Sequence, residues 1–211
     1  MKIALFGATG MIGSRVLAEA LSRGHQVTAI ARDPSKVASQ PNVKTISADV
    51  LNPDAVAEAA KSHDAVVSAY GAPHESPQTL LDATRSLIQG VGKADVKRLI
   101  MVGGAGSLEV APGVQLVDTP NFPAAWKEIA TSAVSSLDIY RKEASNLDWT
   151  YFSPAALIEP GERTGKFRLG GDQLVVDAEG NSKISVEDFA IALVDELEKP
   201  QHIGKRFTAA Y

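Results

Sequence analysis

Three glycines near the start of the chain have the spacing of a phosphate-binding turn. An apolar segment, residues 3–6, runs into Gly7, Gly10 and Gly13, and apolar residues at helical spacing follow at once. In such a unit the first glycine permits the tight turn, the second admits a pyrophosphate, and the third lets helix and strand pack closely. The alternative is a purely structural turn, since the spacing is G-x-x-G-x-x-G. The residues assigned to cofactor binding here are Gly7, Thr9, Gly10, Met11, Ile12 and Gly13.

A basic residue follows the second predicted strand, where dinucleotide sites distinguish their ligands. An NAD-preferring site generally has an acidic side chain there, which binds the ribose 2′-hydroxyl. Here Arg32 occupies the region, and its guanidinium suits a 2′-phosphate, with Ser35 or Lys36 in support. Asp33 is the opposing feature, because it either turns to a ribose or begins a turn before Pro34. We therefore expect the protein to prefer NADP(H) to NAD(H). The alternative is that these residues form a solvated charged loop without a role in binding.

The alternation of strand and helix patterns predicts the scaffold that positions these residues. Strands separated by helices pair in parallel with right-handed crossovers. The predicted fold class is therefore α/β, a Rossmann-type doubly wound parallel sheet with a small C-terminal substrate-side extension. Ligands bind such sheets at the carboxyl ends of the strands, so Ala69, Tyr70 and Gly71 are expected near the ribose and pyrophosphate, with a packing role as the equal alternative for Tyr70. The predicted strands are residues 3–6, 26–31, 43–47, 65–69, 98–102 and 149–152.

The last third of the chain departs from this alternation. Residues 166–176 read as a hairpin-forming stretch with its turn at residues 170–172. A capping box at residues 185–188 opens a helix, and residues 206–208 are a candidate seventh strand. No linker divides the chain, so we expect one domain over residues 1–211. Its substrate-side region lies mainly at residues 108–126 and 154–185.

Composition narrows the functional classes. The net charge of -4 gives no reason to expect nucleic acid or an anionic membrane as a partner. The absence of cysteine excludes disulfides and a cysteine nucleophile, and the four histidines are scattered without ligand spacing, so no metal site is expected. The first strand pattern starts at the N-terminus, and no apolar run approaches membrane-spanning length. We therefore expect a cytoplasmic protein.

The whole chain resembles the atypical short-chain dehydrogenase/reductase group. It is most similar to NAD(P)H-binding, NADH-flavin reductase-like proteins, which are relatives of biliverdin-IXβ/flavin reductase and of NmrA-like sensors. The resemblance implies that Asp49, with Val50 beside it, contacts the adenine amino group, whereas the residues alone allow Asp49 or Asn52 to cap the next helix. The segments that carry the resemblance are residues 7–13, 31–36, 48–50, 68–71, 103–108, 147–150 and 159–165.

The catalytic dyad of many short-chain dehydrogenases is missing. Their Tyr-x-x-x-Lys pair exchanges a proton with the carbinol oxygen, because the lysine lowers the pKa of the tyrosine. Tyr140 is followed four residues later by Ala144, and the positions expected from the resemblance fall near Thr131 and Ser135. Neither can do that work, and we expect Tyr140 to pack in the core.

Other side chains are candidates for the acceptor side of the site. Ser107 follows the strand at residues 98–102, where the resemblance implies a site serine, although a turn cap is the alternative. Gly103 ends the same strand and is assigned to cofactor binding. Four further residues are expected to line the substrate cleft: His74 on its loop, Phe122 and Trp126 as a stacking wall, and Pro154 past the sixth strand. The alternatives are exposure at the surface or burial in the core.

Two functions fit these features. The first is an NAD(P)H-dependent reductase that passes hydride to a flavin (FMN or FAD), a quinone or a similar conjugated acceptor, because such acceptors can draw their proton from water. The second is an NmrA-like, non-catalytic protein that senses the nicotinamide redox state. The modest tail beyond the nucleotide fold favours the enzyme. The expected partner is a small planar acceptor, and a monomer and a homodimer both fit.

Overall fold

An eight-stranded sheet forms the centre of the computed structural model, which describes all residues from 1 to 211. From one edge to the other, its strands are β10 (Arg168–Gly170), β12 (Lys205–Ala210), β8 (Asp148–Ser153), β5 (Arg98–Val102), β4 (Ala65–Ser68), β1 (Lys2–Phe6), β2 (Gln26–Ala31) and β3 (Val43–Ser47). Every neighbouring pair is parallel except β10 with β12. The Rossmann-type α/β fold is therefore confirmed.

Helices cover both faces of this sheet, which explains its near-continuous apolar strands. Along β1, Ile3 and Leu5 face one core, whereas Ala4 and Phe6 face the other. The first core lies under α1 (Met11–Ser22) and α5 (Val186–Glu198). The second lies under α2 (Pro53–Ala60), α3 (Thr79–Lys93) and α4 (Lys127–Glu143). None of these helices combines the length and apolar character needed to cross a membrane.

The order of chain connections reverses between β1 and β4, because β1 leads to β2 on one side whereas β4 leads to β5 on the other. In open α/β sheets such a switch point leaves a crevice at the carboxyl ends of the strands. The glycine turn after β1 and residues 69–71 after β4 meet at this crevice. The topology therefore places the predicted cofactor residues where such folds bind ligands.

The C-terminal third contains one predicted strand and lacks the predicted hairpin. The seventh strand is confirmed as β12, which continues the parallel sheet beside β8. The hairpin prediction at residues 166–176 is wrong, because β10 pairs antiparallel with β12. Beyond the turn, Leu174 N–H donates to the Glu109 carbonyl and Glu109 N–H donates to the Asp172 carbonyl. These backbone groups are thus bonded to a distant loop instead of to β10.

Two small sheets lie in the regions predicted to face the substrate. In the connection from β5 to α4, residues 103–126, β6 (Glu109–Ala111) and β7 (Val114–Gln115) pair antiparallel. Beyond β8, β9 (Leu157–Glu159) pairs in parallel with β11 (Lys183–Ser185). Both sheets are short, and they shape the region that follows the carboxyl ends of β5 and β8.

Carboxylates of α1 and α5 hold the segment at residues 161–165. Arg163 bonds to Glu19 at 2.9 Å, and Gly165 N–H donates to Asp188 at 2.8 Å. The hydrogen bond from Arg163 is the main cause that lowers the pKa of Glu19, with Arg23 also contributing against the opposing effect of burial. A carboxylate with a depressed pKa stabilises the fold above its unfolded pKa, and that contribution disappears as pH falls through the folded value.

We therefore expect Arg163→Gln to lower the free energy of unfolding at neutral pH, because Glu19 loses its main cationic partner. The difference from the parent should shrink below about pH 4, where the unfolded carboxylate becomes protonated. Urea unfolding of the variant and the parent between pH 3 and pH 7 measures this difference in the free energy of unfolding. Arg85→Gln, which breaks the exposed Arg85–Glu143 pair, is the control. A difference that is constant across this pH range would contradict the role assigned to Glu19.

Candidate functional site: a dinucleotide crevice

Two of the three glycines in the turn are required by the protein itself. Gly7 has a positive φ of 79°, and a Cβ atom there would lie 2.5 Å from the Ala69 carbonyl oxygen. A Cβ atom at Gly13 would lie 2.0 Å from the Gly7 carbonyl oxygen. These two glycines therefore let β1, the start of α1 and the chain beyond β4 approach closely.

Gly10 differs, because nothing in the protein fills the space in front of it. A Cβ atom there would meet only the Gly7 carbonyl oxygen, at 3.4 Å, and its φ of -76° suits any residue. Gly10 is the N-cap of α1 without a side-chain hydrogen bond, and the N–H groups of Met11, Ile12 and Gly13 have no protein acceptor. Free N–H groups at a helix N-terminus beside an open backbone form a cradle that suits a pyrophosphate.

A cavity of about 230 Å³ extends from this turn across the carboxyl ends of β1, β2 and β4. The sequence missed several of its lining residues, Phe6, Ile30, Ala31, Ala48 and Leu51. Each of these residues is close in sequence to a predicted one, so they could have been found by including the strand ends that flank each motif. The predicted residues that the structure brings together in the cavity are Gly7, Thr9, Gly10, Arg32, Asp49, Val50, Ala69, Tyr70 and Gly71.

Arg32 and Asp33 have different surroundings at the rim of the cavity. The Arg32 guanidinium is exposed and forms no hydrogen bond or ion pair with the protein. The Asp33 carboxylate accepts hydrogen bonds from the N–H and hydroxyl of Ser35, at 3.2 Å and 2.6 Å. These bonds, led by the hydroxyl, hold the pKa of Asp33 below its usual range. Asp33 thus serves its own turn, whereas Arg32 is free to bind an anion.

The structure separates the two alternatives for Asp49. Asn52 caps α2, because its side-chain oxygen accepts from the N–H groups of Asp54 and Ala55. Asp49 accepts only the N–H of Leu51, at 3.0 Å, and its exposed carboxylate faces the cavity. It therefore retains acceptor capacity for a ligand amino group. The half-buried Tyr70 lines the same cavity, with its hydroxyl 3.4 Å from the Thr79 hydroxyl.

Two predicted residues on the β5 side have partners within the protein. A Cβ atom at Gly103 would lie 1.9 Å from the Tyr151 ring, so packing explains this glycine. Ser107 is 5% exposed, and its hydroxyl accepts a hydrogen bond from Arg206 at 3.1 Å. The catalytic role of Ser107 and the cofactor contact of Gly103 stay predictions, and neither residue lines the described cavity.

Among the residues predicted to line the substrate cleft, the structure brings His74 and Trp126 together. Their rings meet edge to face with centroids 4.9 Å apart, and both side chains are exposed, Trp126 by 52%. Phe122 is half-buried on the same connection. Pro154 is buried, with its carbonyl near the Thr208 hydroxyl, so the side chain predicted to line the cleft belongs to the interior.

Tyr140 packs in the core, as predicted. It is fully buried against Trp149 and Tyr151, and its hydroxyl has no hydrogen-bond partner. Burial raises the pKa of both phenols, that of Tyr151 to about 12. Thr131 lies exposed on α4, with its hydroxyl bonded to the Lys127 carbonyl. None of these side chains is placed to act as a proton donor in the crevice.

We expect Tyr140→Phe to leave dinucleotide binding unchanged and to preserve or raise Tm. An unbonded buried polar group costs about 1–3 kcal/mol, so removing the hydroxyl carries no penalty. Tyr151→Phe is the matched control, because its hydroxyl donates to the Ala133 carbonyl at 2.8 Å and its loss should lower stability. Thermal unfolding and NADPH titration compare the two, and weaker NADPH binding by a folded Tyr140→Phe protein would show that Tyr140 belongs to the site.

The fold, the glycine cradle and the crevice at the switch point are together those of a dinucleotide-binding protein, and the family match gives the nicotinamide type and the atypical short-chain dehydrogenase/reductase class. The chain belongs to the NAD(P)H-binding family, whose pattern matches residues 7–200. The predicted resemblance is thereby confirmed, and the family supports a nicotinamide cofactor and a reductase-like protein.

Three solved structures illustrate the range of names among similar proteins. A protein from Burkholderia pseudomallei, provisionally named as exported, is 53% identical, with a TM-score of 0.92 and 100% of both chains covered. A provisionally named epimerase from Bacteroides thetaiotaomicron is 44% identical, with a TM-score of 0.93 over 100% of this chain and 96% of the other. A provisionally named NADH-flavin reductase from Streptococcus pneumoniae is 35% identical, with a TM-score of 0.88 over 100% and 99%.

Proposed function

We propose that the protein is an NADPH-dependent reductase that transfers hydride to a flavin, a quinone or a similar planar acceptor without a Tyr-x-x-x-Lys dyad. The observation that carries the cofactor preference is the free Arg32 guanidinium beside an Asp33 carboxylate that is bonded to Ser35. The reductase class draws support from the relative provisionally named as an NADH-flavin reductase.

Each part of the crevice has a distinct task in this proposal. The N–H groups of residues 11–13 bind the pyrophosphate, and the absent side chain of Gly10 lets it approach. Arg32 binds the 2′-phosphate in a bidentate manner, and Asp49 accepts from the adenine amino group. When bound, the nicotinamide supplies a hydride, which together with one proton converts a quinone to its hydroquinone.

The acceptor needs a flat surface and no strong acid. Trp126 and His74, two of the residues predicted to line the substrate cleft, expose aromatic rings, and aromatic faces stack on planar conjugated rings. Because a delocalised acceptor spreads the incoming charge, water can supply the proton. The protein then contributes mainly proximity and orientation, which suits a site whose tyrosines at positions 140 and 151 are buried.

Titration of NADPH and NADH, followed by protein fluorescence, tests dinucleotide binding. The decay of nicotinamide absorbance after addition of FMN or menadione tests hydride transfer to an acceptor. Preferential NADPH binding with steady turnover is the expected result. NADPH binding without turnover on either acceptor would favour an NmrA-like redox sensor, for which the missing dyad is equally suitable, and no binding of either nucleotide would refute the proposed cofactor.

A further inference from the structure

Arg206 is a buried arginine that no step of the proposed reaction uses. It lies on β12, and its side chain is only 2% exposed. A guanidinium stays protonated in proteins, so its burial requires acceptors around it. Those acceptors come from two segments far apart in sequence, and each of them is on the substrate side of the molecule.

The first segment is the turn after β10. Arg206 Nε donates to the Asp172 carboxylate at 2.8 Å, Nη2 contacts the same oxygen, and Nη2 also donates to the Asp172 carbonyl at 3.2 Å. Arg141 on α4 approaches this carboxylate as well, at 3.5 Å. The Asp172 side chain is 61% exposed, so the pair joins a buried cation to a solvent-accessible anion.

The second segment is the start of the β5–α4 connection. Arg206 Nη1 donates to the Ser107 hydroxyl at 3.1 Å. Two residues later, Glu109 exchanges backbone hydrogen bonds with Asp172 and Leu174, at 2.8 Å and 2.9 Å. Arg206 therefore lies where the connection and the turn after β10 are bonded to each other.

Hydrogen bonds within the β5–α4 connection link its first residues to its later ones, so fixing the first residues also positions the later ones. Val117 N–H donates to the Gly106 carbonyl at 3.0 Å, Leu116 N–H to the Leu108 carbonyl at 2.8 Å, and Lys127 Nζ bonds to the Val117 carbonyl. The connection ends at Trp126, whose ring meets the His74 ring edge to face, with centroids 4.9 Å apart. A shift of its anchored end would thus reach the aromatic pair.

We infer that Arg206, Asp172 and Ser107 form an anchor that positions the β5–α4 connection against the acceptor, so that Arg206 and Asp172 are positioning residues and Ser107 belongs to the anchor. The inference rests on the proposed function for its acceptor. It predicts that the anchor affects acceptor turnover while the dinucleotide cavity, which contains none of these residues, keeps its affinity.

Asp172→Asn removes the charge and keeps the shape. Its matched control is Asp195→Asn on α5, because Asp195 is similarly exposed, at 56%, and also pairs with an arginine, Arg23. We expect faster amide hydrogen exchange over residues 104–117 in Asp172→Asn than in the control, with an unchanged Kd for NADPH. The kcat/KM for menadione should fall about 10-fold, since small misplacements far from the chemistry can cost up to about 100-fold.

Exchange equal to that of the control would overturn the anchor. Faster exchange with unchanged kcat/KM would overturn its role in positioning the acceptor. Because hydrogen exchange needs no acceptor, a parent protein without turnover refutes the proposed function and leaves the anchor tested. Ser107→Ala should act no more strongly than Asp172→Asn and add little to it, whereas a larger loss of kcat with unchanged exchange would assign Ser107 to the chemistry.

Discussion

Gly10→Ala is expected to remain folded and to lose affinity for both NADPH and NADH. The added Cβ atom meets only one protein atom, the Gly7 carbonyl oxygen at 3.4 Å, and the φ of -76° is ordinary for alanine. If the N–H groups of residues 11–13 bind the pyrophosphate as proposed, the added methyl group at position 10 hinders its approach. The loss of even one or two charge-assisted hydrogen bonds, at about 1.5–3 kcal/mol each, raises Kd by about 10- to 100-fold or more.

Gly13→Ala separates this effect from a general loss of structure. Its Cβ atom would lie 2.0 Å from a backbone oxygen, so the turn must deform. Overpacking costs about 1–3 kcal/mol or more, and each kcal/mol lowers Tm by about 2–4 °C in a chain of this size. We expect Gly10→Ala to keep Tm within about 4 °C of the parent, because only a helix N-cap is changed. Unchanged NADPH affinity in Gly10→Ala would place the phosphates elsewhere.

Arg32→Ala is expected to weaken NADPH binding about 10- to 100-fold, the value of one or two hydrogen bonds to a charged phosphate. NADH binding should change little, because NADH carries a 2′-hydroxyl in that position. The ratio of the two Kd values is therefore the quantity to measure. It should collapse toward unity in the variant and become less dependent on salt.

Arg85→Ala is the control, since it also removes an exposed guanidinium, from the surface of α3, without touching the cavity. Asp33→Asn adds a second check. Its carboxylate serves the turn through Ser35, so the preference for NADPH should survive this substitution. An equal loss of NADPH and NADH affinity in Arg32→Ala would contradict recognition of the 2′-phosphate, as would a Kd ratio that does not change.

The nucleotide half of the molecule could be predicted from sequence because its information is local. The apolar strand, the glycine turn and the helix follow one another within 22 residues, so periodicity and turn chemistry predict each element. Parallel pairing and right-handed crossovers then bring residues 32, 49 and 69–71 to one edge. No knowledge of distant contacts is needed for these steps.

The region predicted to face the substrate depends on contacts between distant parts of the chain. The partner of Leu174 is Glu109, and the acceptors of Arg206 are Asp172 and Ser107, which no spacing rule connects. Gly103 shows the same difficulty, since the Tyr151 ring that requires a glycine there lies on another strand. In the sequence, a glycine at the end of a strand looks the same whether a ligand or a tyrosine ring packs against it.

The two outer edges of the central sheet affect whether two copies of the protein can associate through their sheets. Unpaired strand edges invite pairing between molecules, and short or charged edge strands prevent it. On one side β10 offers only three residues, and Arg168 bonds to the carbonyls of Val176 and Tyr211. On the other side, β3 is the outermost strand and carries the exposed Lys44. A short strand at one edge and a charged side chain at the other are features that disfavour pairing between the sheets of two molecules.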